Sequence, residues 1–168
     1  MKFRVTVETP LGPMTVIAGD GGVEELRLPG YASAESIPER RTELLCRAEK
    51  ELQEYFHGTR RVFDLPLAPA GTPFQQRVWQ ELCRIPYGGT ASYGDIARRV
   101  GLPKGARAVG QANHRNPIPI VIPCHRVIAA HGDPGGYGGG PDLKIRLLKL
   151  EGTRMTADPA AHTMKILS

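Results

Sequence analysis

The sequence holds little cysteine and no long apolar run, and both shortages exclude whole classes of protein. Three cysteines, Cys46, Cys83 and Cys124, occur in 168 residues. They form neither an even framework nor a C-x-x-C pair, which argues against a disulfide scaffold and a structural zinc site and for a reducing compartment. No window approaches the roughly 18–20 unbroken apolar residues that a membrane span needs. Met1-Lys2-Phe3-Arg4 leads straight into a polar/apolar alternation, without the apolar stretch of a signal peptide. A cytoplasmic protein is expected. The glycine-rich segment 132–140 lacks the G-K-[ST] ending of a P-loop and follows no βαβ pattern, so it is not a nucleotide cradle.

At 40% hydrophobic and 23% charged, the chain has globular composition and length for one ordinary domain or two small ones. Its net charge of +5 is unevenly spread. Residues 1–70 carry 9 Lys/Arg against 11 Asp/Glu, whereas 71–168 carry 13 against 6. A slightly acidic half is thus joined to a basic one, and only the second half is suited to a polyanion.

The first part reads as a small α/β or α+β unit. Lys2–Val7 alternates as a half-buried strand, Thr9–Pro13 is turn chemistry, and Met14–Ala18 and Val23–Leu28 read as returning strands. Ser36-Ile37-Pro38-Glu39 has capping-box spacing. Leu44, Ala48, Leu52 and Phe56 then predict one apolar helix face ending near Gly58. The Pro-rich stretch 65–73 predicts a boundary between a unit 1–71 and a second unit 72–152, which is followed by a tail 153–168 that is partly ordered at most. In the second unit Thr72, Pro73 and Gln75 open a helix whose Phe74, Val78, Leu82 and Ile85 face a core.

Ser92-Tyr93-Gly94-Asp95 caps a short helix, Gly101-Leu102-Pro103 is a tight turn, and a second helix runs from Lys104 to about His114. Gly105, Ala106, Ala108, Gly110 and Ala112 leave that second helix unusually bare, so its backbone can approach another surface. Close packing on another helix is one explanation. The surrounding Arg98, Arg99, Lys104, Arg107 and Arg115 favour phosphate contacts instead. With few groups able to read base edges, such a helix suits a sequence-indifferent contact, for example in the minor groove.

The chemistry lies in Ile120-Val121-Ile122-Pro123-Cys124-His125-Arg126-Val127-Ile128, an apolar, β-branched run interrupted by a thiol, an imidazole and a guanidinium. This pattern predicts a core strand with an activated nucleophile at its rim, because a cation beside a cysteine eases loss of the thiol proton. A buried structural cysteine is the alternative. On a regular strand Cys124 and His125 point to opposite faces, so either the chain turns after Pro123 or a water joins them. Tyr137 is the one large side chain of the glycine-rich segment, a pocket wall or a simple anchor. The last helix, Pro141 to Glu151, turns Leu143, Leu147 and Leu150 inward and carries Lys144 and Glu151 at the ends where the helix dipole disfavours them. Glu151 is either the orienting partner of His125 or a solvated terminus.

Pro123-Cys124-His125-Arg126, within the run from Asn116 to Val127, resembles the signature of the O6-alkylguanine-DNA alkyltransferases. Residues 74–79, Ile85-Pro86-Tyr87-Gly88, Ser92-Tyr93-Gly94, Arg107-Ala108-Val109-Gly110, 137–140 and 147–152 match its pattern in order. The resemblance implies an α/β (α+β) fold: a ribonuclease-H-like N-terminal domain and a mostly helical winged-helix/helix-turn-helix domain carrying the active-site cysteine. It implies a monomer, cooperative on DNA at most, that binds duplex DNA containing O6-alkylguanine by the minor groove and flips the base out. The alkyl group of O6-methylguanine, and of O4-methylthymine, would pass irreversibly to Cys124 in one turnover. His125 would activate Cys124 through a water, Glu151 would hold His125, Asn116 would brace the turn, and Tyr93 would protonate the leaving guanine. Arg107 would fill the gap in the stack, Tyr137, Gly138 and Lys144 would line the pocket, and the main chain at Cys124 and Val127 would accept from the guanine amine. Ser92, Arg98, Arg99, Lys104, Ala106, Ala108, Gly110, Arg115 and Arg126 would face DNA, with His114 and Asn113 tuning groove contact or lesion size. No cofactor or metal is implied, since the N-terminal Cys/His zinc cluster of some relatives is missing from this chain. A non-catalytic lesion sensor, a winged-helix transcription regulator and a Cys–His hydrolase are the competing functions.

Overall fold

A computed structural model describes residues 1–31, 34–129, 137, 140–158 and 163–166. Gly138 and most of the glycine-rich segment lie outside the described residues. The chain divides into two compact units, Met1–Ala70 with Pro117–Pro119, and Gly71–Asn116 with Ile120–Ser168.

The first unit is an antiparallel sheet of β1 (Phe3–Thr9), β2 (Gly12–Gly19) and β3 (Gly22–Arg27), in that order, with α1 (Glu43–Phe56) packed on it. The register sets Val5 opposite Val16, Val7 opposite Met14 and Val16 opposite Leu26, so one apolar face is buried as the alternation requires. Helix α1 begins at Thr42, whose side chain accepts from the Leu45 amide, and not at the capping-box spacing of Ser36. Its buried face is Leu45, Ala48, Leu52 and Tyr55. Leu44 and Phe56 are only half-buried, because a strict four-residue spacing drifts about 40° per step around a helix of 3.6 residues per turn. Pro117–Pro119 completes this unit: the Leu26 amide donates to the Pro117 carbonyl at 2.9 Å, and Ile118 is fully buried.

The second unit is mostly helical. Helix α2 (Pro73–Leu82) carries the full reciprocal cap between Thr72 and Gln75 and buries Val78, Trp79 and Leu82, leaving Phe74 half-buried. Strand β4 (Ala91–Ser92) leads directly into α3 (Tyr93–Arg99), capped by Ser92 and Asp95, and a turn with Gly101 at φ 82° leads to α4 (Ala106–His114). Strand β5 (Val127–Ile128) pairs in parallel with β4, Ala91 opposite Val127. Helix α5 (Pro141–Leu150) follows. Within the tail, β6 (Met155–Asp158) and β7 (Thr163–Ile166) pair as an antiparallel hairpin. Four-residue strands are too short for their alternation to stand out in the sequence.

Candidate active site

The cysteine segment is a turn where a core strand was expected. After Pro123 the Cys124 amide donates to the Ile122 carbonyl at 2.7 Å and the Arg126 amide to the Pro123 carbonyl at 3.0 Å, closing a 3-10 turn over Cys124–Arg126. A strand would throw successive side chains to opposite faces. The turn instead buries all three, with exposures of 4% for Cys124, 0% for His125 and 7% for Arg126. Just upstream, buried Ile120 sits at φ 74°, a conformation costing a β-branched residue about 1–3 kcal/mol. Asn116 holds the same loop by donating from Nδ2 to the Ile122 carbonyl at 2.7 Å. The β4–β5 pairing sets Ser92 opposite Ile128, so α3 begins, at Tyr93, alongside the cysteine turn.

Behind the turn lies a charged cluster. His125 Nε2 is 2.7 Å from Glu151 Oε2, and Arg126 donates to both carboxylate oxygens, from Nε at 2.8 Å and from Nη2 at 3.0 Å. Arg126 also donates from Nη1 to the Ile85 carbonyl at 2.7 Å, with its guanidinium 5.8 Å above the Tyr87 ring. Its expected place among the DNA contacts is therefore corrected. The guanidinium points inward because Glu151, at the helix end where a free carboxylate is disfavoured, needs a cation. Burial alone would raise the Glu151 carboxyl, but hydrogen bonds from His125 and Arg126 and the charge of Arg126 hold it at about 2. Burial pushes the His125 imidazole below its ordinary value, aided by the Arg126 and Lys144 charges and opposed by Glu151. An ionised carboxylate only accepts, so Nε2 carries the hydrogen and Nδ1 keeps its lone pair. Nδ1 is buried with no protein partner among the described residues.

Cys124 is not the easily ionised thiol that its neighbours suggested. Burial raises its pKa, and Asn116, Lys144 and Tyr137 only partly offset this. The adjacent cation is spent on Glu151 and the adjacent imidazole is neutral, so neither stabilises a resting thiolate. Lys144, fully buried on α5 where the leucine pattern put Leu143, donates from Nζ to the Val127 carbonyl at 2.5 Å. Burial draws its pKa down to about 8, against the pull of Cys124. Leu147 and Leu148 form the rest of the inward face, and Leu143 and Leu150 are half-buried. Two side chains that motif reasoning underused also belong here. Asn113 Nδ2 donates to the Cys124 carbonyl at 3.3 Å, and Trp79 Nε1 donates to the Ala112 carbonyl at 2.9 Å, tying α4 to the turn and to α2.

The depressed His125 and Glu151 pKa values give a pH dependence with one sign. In each case the unfolded chain binds a proton that the fold refuses, so stability rises with pH across the gap. Stability is expected to fall as pH drops below about 6.5 through His125, and again between about 4.5 and 2 through Glu151. Urea midpoints measured against pH check this, and His125→Gln should remove the upper step and narrow the lower one, because His125 also holds the Glu151 carboxyl down.

The outer face of α4 forms a groove of about 780 Å³ lined by Tyr93, Ala106, Arg107, Gly110, Gln111, His114 and Arg115. Lys104, Ala106, Arg107, Ala108 and Arg115 are exposed, as are Arg98 and Arg99 on α3, and Arg98 pairs with Asp95. The Ser92 side chain is occupied in capping α3. A methyl group on Gly110 would lie 3.8 Å from the Tyr93 ring, ordinary van der Waals contact, so α4 runs close beside this half-buried phenol, which itself lines the groove. Burial raises the Tyr93 pKa and negative charge on Cys124 adds to the rise, which keeps the phenol protonated. The structure thus gathers Cys124, His125, Glu151, Asn116, Lys144, Tyr137 and Tyr93 about one turn, with the basic residues on α3 and α4.

Comparison with known proteins gives this arrangement a family. Residues 2–69 match the 6-O-methylguanine DNA methyltransferase ribonuclease-like domain, and residues 73–153 match the DNA binding domain of the same family. The constitutive methylated-DNA–protein-cysteine methyltransferase of Bacillus subtilis is 45% identical over 158 residues, 90% of this chain and 96% of that one. The crystal structure of the Mycobacterium tuberculosis O6-methylguanine methyltransferase superposes with a TM-score of 0.83 at 43% identity, covering 96% of this chain and 99% of that one. The Mycobacterium tuberculosis protein in complex with DNA superposes with a TM-score of 0.80 at 47% identity, covering 87% and 90%. The two-unit α/β architecture is shared with these proteins, and the chain belongs to the 6-O-methylguanine DNA methyltransferase family.

Proposed function

We propose that this protein repairs alkylated DNA directly, as a methylated-DNA–[protein]-cysteine S-methyltransferase that moves the alkyl group from O6 of guanine in duplex DNA to Cys124. The observation that carries this is the buried Cys124 thiol beside a His125–Glu151 pair, at the foot of a basic helix face too bare to read sequence. The exposed arginines and Lys104 take phosphates, and the small residues of α4 bring its backbone into the minor groove. The damaged base rotates out at a cost of a few kcal/mol, lower for a weakly paired lesion, and Arg107 fills the space it leaves. The carbonyls of Cys124 and Val127 accept from its exocyclic amine, and Tyr137, Gly138 and Lys144 enclose it. O4-methylthymine offers the same aryl-type oxygen and is a second substrate.

The step is a displacement at the alkyl carbon. His125 Nδ1 takes the Cys124 proton through a water, sulfur bonds to the carbon, and the carbon–O6 bond breaks. The electron pair enters the guanine ring, which takes a proton from the Tyr93 hydroxyl and leaves neutral. The tyrosine recovers its proton from the imidazolium side. The thioether does not revert, so each molecule acts once and no cofactor is consumed.

Intact-mass measurement after incubation with duplex O6-methylguanine DNA tests this. The expected result is one added methylene unit on Cys124, in a 1:1 amount with lesion and no second turnover. Lesion binding at unchanged mass would make the protein a sensor, operator-specific binding a regulator, and turnover of a small ester a hydrolase. Arg107→Ala is expected to slow transfer roughly tenfold or more, because stacking in the vacated site is worth about 1–3 kcal/mol, with affinity for undamaged duplex little changed. Equal losses in rate and affinity would reduce Arg107 to a phosphate contact.

A further inference from the structure

We infer that Arg126 and the Pro86–Gly89 turn form a clamp that sets the orientation and charge of Glu151, which makes Arg126 a positioning residue for the His125 base. The role rests on the alkyl-transfer function proposed above and extends it to two features that function leaves unused: a buried guanidinium and the Ile85-Pro86-Tyr87-Gly88 motif. Three parts of the fold meet at Glu151. Arg126 grips both carboxylate oxygens and anchors itself on the Ile85 carbonyl. The Tyr87 hydroxyl donates to the Leu150 carbonyl at 3.2 Å and the Thr153 hydroxyl to the Gly88 carbonyl at 3.4 Å, fastening the turn to the end of α5 on both sides of Glu151. A side chain at Gly88 would come within 3.1 Å of the Glu151 carbonyl, so the glycine permits this approach.

The consequence for His125 follows from geometry. Arg126 Nη2 and His125 Nε2 share one oxygen, Glu151 Oε2. The carboxylate must therefore divide its charge between a permanent cation and the imidazole. This keeps Glu151 ionised and aimed at Nε2, while denying His125 the undivided counter-ion that would hold it protonated. The charged groups facing His125 are Glu151, Arg126 and Lys144, and the last two both disfavour the imidazolium. An imidazole that is already protonated cannot take the thiol proton, so the clamp preserves the base.

The test compares Arg126→Met and Arg126→Lys with the native chain. The measurements are the single-turnover transfer rate against pH, the His125 titration by NMR in the free protein, and duplex affinity. In Arg126→Met the His125 titration and the acid limb of the rate profile are expected to move up together by about one pH unit, as loss of a neighbouring cation requires. The rate at neutral pH should fall roughly tenfold or more, with duplex affinity within about twofold of native. Arg126→Lys keeps a charge but not the two-oxygen grip, so it should hold the limb near its native place while the rate stays low. If Arg126→Met does not fold, the lysine variant decides: a native rate, or a limb displaced as far as its rate is low, overturns the clamp. An unmoved His125 titration with only a smaller active fraction makes Arg126 structural, and an affinity loss matching the rate loss makes it a DNA contact. Absence of transfer by the native chain sinks the proposed function, while the NMR titration still judges the clamp.

Discussion

Cys124→Ala is expected to abolish alkyl transfer completely while leaving the affinity for duplex containing O6-methylguanine within about twofold of native, since phosphate contacts supply most of such binding. The substitution removes one buried sulfur and touches none of the exposed basic residues on α3 and α4. Asn113 still holds the carbonyl at position 124, because that bond goes to the main chain. Stability should drop by only about 1 kcal/mol, the scale of a small core truncation. Two other thiols make the experiment decisive. Cys46 and Cys83 are exposed. Label appearing on either of them in the alanine variant, at the native rate, would mean that Cys124 is not the acceptor. A mobility shift beside an intact-mass measurement separates these outcomes in one preparation.

Glu151→Gln should cost both stability and rate. The amide keeps the size of the carboxylate but leaves the Arg126 guanidinium buried without a counter-charge, and breaking a buried ion pair from one side typically costs about 3–5 kcal/mol. In a chain of this length that loss corresponds to a melting temperature on the order of 10 °C lower. The rate should fall by roughly a hundredfold or more, the usual range for losing an oriented general base. His125 then lacks an obligatory acceptor at Nε2, so its tautomer is no longer fixed with Nδ1 open. The acid step in stability between about pH 4.5 and 2 should shrink as well, because its titrating group is gone. A variant that melts like the native chain and transfers at the native rate would remove Glu151 from the site.

The local parts of this fold were the legible ones. The caps of α2 and α3 are written in four consecutive residues each, Thr72–Gln75 and Ser92–Asp95, and the structure contains both boxes. The hairpins of the first unit follow from alternation and glycine turns. What was hidden depends on pairings distant in the chain. Arg126 meets Glu151 25 residues away and Ile85 41 residues away, so a basic residue in a basic half looked like one more phosphate contact. The apolar run 120–128 looked like a strand because periodicity cannot show that Pro123 ends one direction and begins another. Lys144 broke the leucine pattern of α5, and its bond to the Val127 carbonyl, distant in the chain, shows how a lysine is held there. The misplaced charges at the ends of α5 were nevertheless a true local signal, since both belong to the cluster behind Cys124.

The passage of three residues, Pro117–Pro119, into the first unit has a practical consequence for dissecting the protein. A single cut in the connector at Ala70 does not produce two self-contained pieces. The N-terminal fragment loses the carbonyl that receives the Leu26 amide, and the C-terminal fragment retains Ile118 with nothing to cover it. That loose peptide begins next to Asn116 and ends at Ile120, the residue held in left-handed geometry at the entrance to the cysteine turn. A fragment starting at Gly71 therefore carries a stretch of a fold it no longer contains.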